Sequence, residues 1–181
     1  SHWTRETFAQ ALGRPPRDIG MRLLYDVCHN IAKIERFVIG GRETAVCVPR
    51  KGATRAFPPG HAALPTRYRG VGQPVLIPGD MGSGSYVLAG TRKAFEETFG
   101  STCHGAGRRI SRSQALKAGR KRSIGQEMAA RGIVVMASGR GTLNEEMPEA
   151  YKDVDQVVEV VHRAGISKKV ARLRPVGCIK G

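Results

Sequence analysis

Nowhere does the sequence run through about 18 consecutive apolar residues, and no basic segment at its start leads into an apolar one. Neither a spanning helix nor a signal peptide is supported, so a cytoplasmic location is the expectation. Cysteine is sparse: Cys28, Cys47, Cys103 and Cys178 lie far apart at irregular intervals. That spacing argues against a CxxC zinc site and against a dense disulfide framework, and the thiols are read as reduced. The phosphate-loop patterns GxxxxGK and GxGxxG are both missing, as are internal repeats and low-complexity tracts. An initiating methionine is absent too; the chain opens Ser1-His2-Trp3-Thr4-Arg5-Glu6 and reads as a fragment.

Acid is the scarcest class relative to its opposite. Against 30 Lys and Arg stand 15 Asp and Glu, giving a formal charge of +15 over 181 residues. Such an excess points to polyanions such as nucleic acid or nucleotide phosphates, with an anionic membrane surface as the competing reading. The deficit is local. Between Glu97 and Glu127 no acidic residue occurs, while Arg108, Arg109, Arg112, Lys117, Arg120, Lys121 and Arg122 all fall in that window. A solvated helix face and an anion-binding surface both fit such a block.

What is present suits one domain with a real core: 40% of the residues are hydrophobic. Thr4 to Gly13 reads as a short helix stopped by Pro15-Pro16. From Ile19 to Arg36, Leu23, Leu24, Val27, Ile31 and Ile34 recur at helical spacing, which predicts a helix carrying Asp26, His29, Asn30 and Lys33 as a polar stripe. Phe37 to Ile39, Gly40-Gly41 and Thr44 to Val48 predict a β-hairpin, followed by a basic loop from Arg50 to Arg55. Pro58 to Gly72 is loop-like. Strands are expected at Gln73 to Ile77, Ser85 to Ala89, Ile133 to Ala137 and Lys169 to Leu173. Helices are expected at Thr91 to Phe99, Ser113 to Gly119, Ser123 to Arg131 and Asp153 to Ala164, the last with Val154, Val157, Val158 and Val161 on one face. Without regular βαβ alternation, the fold class is α+β.

Two stretches carry chemistry. Ser101 to Arg109 surrounds His104 with Gly105, Ala106 and Gly107 and follows them with Arg108 and Arg109. Glycines there let backbone N–H groups converge on a phosphate, arginines add charge-assisted bonds, and an imidazole can attack phosphorus or move a proton. Pattern alone favours a turn with an incidental histidine. Gly79 to Ser85 is a second glycine-rich turn against which a nucleotide could rest, or simply a turn. His29 offers one metal-ligating imidazole, and one ligand does not make a site.

The strings YDVCHNIAKIE, RKGATRAFPP, QPVLIPGDMGSGSYVLAGT, CHGAGRRISR, EAYKDVDQVVEVVHRAGI and RLRPVGCIKG stand in this order from Tyr25 to Gly181. In that order they resemble the signature segments of the RtcB family of RNA-splicing ligases. The resemblance implies that residues 1–181 are the C-terminal portion of a single catalytic domain. The implied enzyme depends on GTP and manganese (Mn2+) and joins RNA 3′-phosphate or 2′,3′-cyclic phosphate ends to 5′-hydroxyl ends, as in tRNA splicing or RNA repair. It implies His104 as the residue that takes GMP covalently, His29 as a manganese ligand and Asn30 beside the guanylate. Pro78, Gly79, Asp80, Met81 and Ser85 would bind the nucleotide, Gly105, Ala106 and Gly107 would line its phosphate, and Lys180 would reach the guanine. RNA, as tRNA halves or broken ends, is the implied partner, with an archease-like protein as a candidate activator.

Three positions depart from the family pattern. Asp80 stands where many relatives carry a small hydroxyl residue, and Phe37 and Pro49 stand where many carry histidine. The family's remaining metal ligands and a further nucleotide motif belong upstream of the matched region. A non-catalytic RNA-binding fragment, or one piece of a split ligase, is therefore the alternative reading.

Overall fold

A computed structural model describes residues 2–180. Helix α1 (His2–Leu12) is followed by loop as far as His29, broken only by a short 3-10 turn at Pro16–Asp18. The chain then enters an antiparallel hairpin of β1 (Asn30–Ile39) and β2 (Arg42–Lys51), joined by Gly40 and Gly41 at φ 57° and 79°. Positive φ at both turn residues is what a tight hairpin needs, and glycine takes it without strain.

This hairpin overturns the helix expected over Ile19 to Arg36. Apolar residues at helical spacing are compatible with a strand when the intervening positions are read as well. Ile31, Ile34, Val38 and Ile39 are β-branched, and their strand partner lies just beyond a two-glycine turn. Pairing runs the full length, from Asn30 opposite Lys51 to Ile39 opposite Arg42. Alternation sends Phe37, Val48 and Arg50 inward, while Ile34 and Val38 remain 72% and 74% exposed. Phe37 thus belongs to the core, its ring 4.8 Å from that of Phe95, and Pro49 lies on the exposed face.

After Gly52 the chain forms β3 (Ala53–Arg55), part of the stretch expected to be loop. The Pro58 to Gly72 region is loop with one 3-10 turn at Thr66–Tyr68. Strands β4 (Pro74–Ile77) and β5 (Ser85–Gly90) pair antiparallel across the glycine-rich turn. Helix α2 (Arg92–Glu97) starts where the Thr91 hydroxyl accepts the Ala94 N–H at 3.1 Å. Strand β6 (Ser101–Cys103) pairs with β3, a partnership too short to be seen in periodicity.

Two helices follow, α3 (Arg112–Gly119), opened by a Ser111/Gln114 capping box, and α4 (Ile124–Ala130). Strand β7 (Val134–Ala137), helix α5 (Arg140–Glu145), helix α6 (Val154–Arg163), strand β8 (Ser167–Leu173) and strand β9 (Gly177–Lys180) complete the chain. Neither α5 nor β9 is expected from the sequence. β8 extends the sheet to the order β4-β5-β8, and β9 pairs parallel with β7. Helices with several small sheets make the fold α+β, in agreement with the sequence.

Two packed clusters frame the functional loops. In the first, Val75, Ile77 and Leu88 of the sheet meet Val154 and Val158 of α6, and Ala106 of the His104 loop is buried among them. In the second, Met81 meets Ala115, Ile124, Met128 and Ile133. The two glycine-rich stretches therefore each insert an apolar anchor into a core, Ala106 into the first and Met81 into the second.

Candidate functional site

His104 follows directly on β6, whose Cys103 is opposite Ala53 of β3. The next residues are pinned from two sides. The Ala106 N–H donates to the Pro78 carbonyl at 3.2 Å, the Lys152 N–H to the Gly107 carbonyl at 2.9 Å, and the Arg109 N–H to the Ala150 carbonyl at 2.8 Å. Gly107 adopts φ 77°, a conformation that disfavours any side chain, and no atom lies within 4 Å of where its Cβ would be. At Gly105 the nearest atom to such a Cβ is the Pro78 oxygen, 3.6 Å away. The loop is hydrogen-bonded at its anchors, and the space where Gly107 would carry a side chain is open.

His29, immediately before β1, reaches the same place. Its neighbour Cys28 presents a carbonyl to the Thr54 hydroxyl on β3 at 3.4 Å, and β3 is the partner of β6. The His29 and His104 rings stack with centroids 4.4 Å apart and planes inclined by 18°. His29 is thus a loop residue at the mouth of β1, exposed, and its helical stripe with Asp26 and Lys33 does not form. Asn30, also exposed, is the first residue of β1, opposite Lys51.

Burial, then the charge of His29, lowers the His104 pKa below its ordinary 6.5, against a smaller raising effect of its own backbone. The ring is consequently neutral at neutral pH, with a lone pair available. A group with a depressed folded pKa contributes stability that is present above pH 6.5 and lost as pH falls through the folded midpoint. In a proton NMR titration the His104 ring is expected to titrate below 6.5, and His29→Ala to move that midpoint upward. An unmoved midpoint would show that the two rings do not sense each other.

The turn from Pro78 to Ser85 is built to close on itself. A Cβ at Gly79 would lie 2.2 Å from the Gly84 oxygen, so only glycine fits. The Gly79 N–H donates to Ser85 Oγ at 3.4 Å. Asp80 Oδ1 accepts the N–H groups of Gly82 and Ser83 at 2.7 and 2.9 Å, and Oδ2 accepts the Ser83 hydroxyl at 2.6 Å. The departure at Asp80 therefore holds the turn together. Met81 is 1% exposed, its side chain given to the second core cluster. What Met81 offers a ligand is backbone.

Arg108, expected to serve an anion, is committed internally. Its guanidinium donates to the Glu145 carbonyl at 2.6 Å, the Ile110 carbonyl at 3.2 Å, Glu146 Oε1 at 3.2 Å and the Tyr151 hydroxyl at 3.1 Å. It also lies over the Tyr151 ring, 4.9 Å from its centroid. Lys180 Nζ donates to Glu146 Oε2 at 3.2 Å, and the Tyr151 hydroxyl donates to the same oxygen. Lys180 is in this way joined to the end of the His104 loop. Glu146 and Tyr151 escape a residue-by-residue reading; Tyr151 lies in the EAYKD string, but nothing in local spacing singles it out.

Arg122 is likewise spent, on Glu127 at 2.5 and 2.9 Å and on Glu149 at 2.8 Å, bonds that hold its guanidinium pKa above the ordinary value. Arg109, Lys117, Arg120 and Lys121 are exposed and make no ion pair among the described residues. With Arg112, whose side chain is 72% exposed and 3.9 Å from Glu145, they are the cations of the acid-free window left to face solvent. Among the described residues no group of three or more His, Cys, Asp or Glu comes together. His29 by itself does not make a manganese site. No helix among the described residues is long and apolar enough to cross a membrane.

Residues 1–181 match the family described as tRNA-splicing ligase RtcB. The chain is 58% identical over 181 residues to the tRNA-splicing ligase RtcB of Archaeoglobus fulgidus, covering all of itself and 38% of that relative. Against the proteins of the same name from Pyrococcus abyssi and Methanocaldococcus jannaschii it is 57% and 54% identical, again along its whole length, covering 20% and 19% of them. The chain thus spans well under half the length of these curated relatives.

Proposed function

This chain belongs to the RtcB family, and from that premise we propose that it is the C-terminal portion of the catalytic domain of an RNA ligase whose histidine, His104, takes GMP from GTP. The ligase joins RNA 3′-phosphate or 2′,3′-cyclic phosphate ends to 5′-hydroxyl ends. The observation that carries this reading is the His104 ring stacked on His29, followed by a glycine loop with open space at Gly107. GTP supplies an activated phosphoryl group. A His104 ring nitrogen attacks the α-phosphorus, an N–P bond forms, the bond to the bridging oxygen breaks, and pyrophosphate leaves as the ring proton passes to solvent. Backbone N–H groups at Gly105 and Gly107 receive the phosphate oxygens; Pro78, Gly79, Asp80, Met81 and Ser85 border the nucleotide; Asn30 lies by the guanylate and Lys180 meets the base. Full-length protein retains labelled GMP on this reading, and His29 contributes one of several manganese ligands.

The alternative is an RNA-binding portion without chemistry, favoured by the exposed cations of α3 and the turn after it. Both readings predict RNA affinity that falls with salt, by about 0.7 in log K per log salt for each phosphate neutralised on a single strand. Replacing Lys117, Arg120 and Lys121 together by Ser should flatten that slope by about two units. Arg122→Ser should loosen α4 instead, since its partners are Glu127 and Glu149. An unchanged slope in the triple variant would reduce the block to a solvated face.

A further inference from the structure

Glu146 has been given no part in the chemistry, yet it joins three elements of the site. Its side chain is 16% exposed, between the Arg108 guanidinium and the Lys180 ammonium, with the Tyr151 hydroxyl on the same carboxylate. Burial alone would raise its pKa, but hydrogen bonds from Tyr151 and Lys180 and the charges of Lys180 and Arg108 outweigh it and lower the value. The carboxylate is thus ionised at neutral pH. One negative charge set against two positive ones leaves the cluster net cationic, which suits an anionic ligand.

We infer that Glu146 is a positioning residue for the nucleotide step, holding Lys180 against the Arg108 end of the His104 loop so that the lysine meets the base while the imidazole meets the phosphate. The inference rests on the nucleotide reading above. A lysine side chain is a flexible stem carrying a point charge, and binding must freeze it. Freezing it beforehand removes that cost from the binding step. Arg108 is an equally fixed reference, since its remaining donors are tied to the Glu145 and Ile110 carbonyls. Without the carboxylate, the two cations repel and Lys180 swings toward solvent.

The test uses a full-length RtcB polypeptide carrying this chain, titrated with GTP in a calorimeter. Glu146→Gln, which keeps shape and loses charge, should weaken GTP binding about ten- to hundred-fold. Glu146→Asp, which keeps charge on a shorter stem, should recover part of the loss. The double variant with Lys180→Ala should bind no more weakly than Lys180→Ala alone, because Glu146 acts through that lysine. A purely structural role would give additive losses. A second readout needs no nucleotide: burial and the Glu146 hydrogen bond push the Tyr151 phenol up to about 12, and Glu146→Gln should bring its absorbance titration back toward 10, with Tyr151→Phe identifying the transition. GTP affinity unchanged in Glu146→Gln but lost in Lys180→Ala would overturn the positioning role while leaving the nucleotide reading intact. Affinity unchanged in Lys180→Ala would remove the nucleotide reading at this residue, and the positioning role with it.

Discussion

His104→Ala in a full-length RtcB polypeptide carrying this chain is expected to abolish labelling of the protein by α-labelled GTP in the presence of manganese. In the unsubstituted polypeptide the label should be lost in acid and survive alkali, because a phosphoramidate nitrogen is protonated before the N–P bond breaks. No neighbouring group substitutes for the imidazole. Cys103 precedes it, but burial holds that thiol's pKa above its ordinary value, so little thiolate forms. His29 stacks on the ring face and does not occupy the ring's position against the glycine loop. The expected effect is the whole signal, since on the proposed reading His104 is the covalent acceptor. The 181-residue chain alone should label poorly, because its described residues gather no group of three metal donors. Stoichiometric labelling of the alanine variant would remove His104 from the mechanism, and efficient labelling of the short chain would show that the site is complete within it.

The second large effect is on stability and comes from the hairpin. Arg50 is 2% exposed and donates to both oxygens of Glu35, at 3.0 and 2.6 Å. Its other donors reach the Phe99 carbonyl at 2.8 Å and the Ser101 hydroxyl at 2.9 Å. Glu35→Ala leaves a buried guanidinium without its counter-charge, and such losses cost about 3–5 kcal/mol. Against a typical domain stability of about 5–15 kcal/mol this is a large share, readable as a lower urea midpoint. Replacing both residues by Met should cost less than the single change, because no charge is then stranded. Ser101 begins the strand that delivers His104, so the same variant should also broaden the His104 NMR signal. A single-variant loss below about 1 kcal/mol would show that water reaches Arg50.

Where the structure follows the sequence, the reason is local. The valine face of α6 is one periodic stripe, and Val154 and Val158 are fully buried because that stripe has one side to hide. Gly40-Gly41 announces a hairpin because few other residues take positive φ twice in succession. The expected helix over Ile19 to Arg36 fails for the complementary reason. A spacing that suits a helix face does not report whether a strand partner waits beyond the next turn, and ten residue pairs of ladder decide the matter. Strands β3 and β6, three residues each, are shorter than any periodic signal.

The composition and order of residues by themselves determined the basic character, the α+β class, the glycine-flanked histidine and its family resemblance, all of which depend on identity or on neighbours along the chain. Tertiary structure alone decided which charges are free. Arg108 and Arg122 read as part of one cationic block, yet each is consumed by carboxylates brought in from the 145–149 region. It also decided that His29 stacks on His104, that Met81 is core, and that Glu146 lies between Arg108 and Lys180. Electrostatic pairing and ring stacking act through space over a few ångströms, whereas sequence patterns record only neighbours on the chain; those contacts exist only once β3, β6 and the two core clusters have folded the distant segments together.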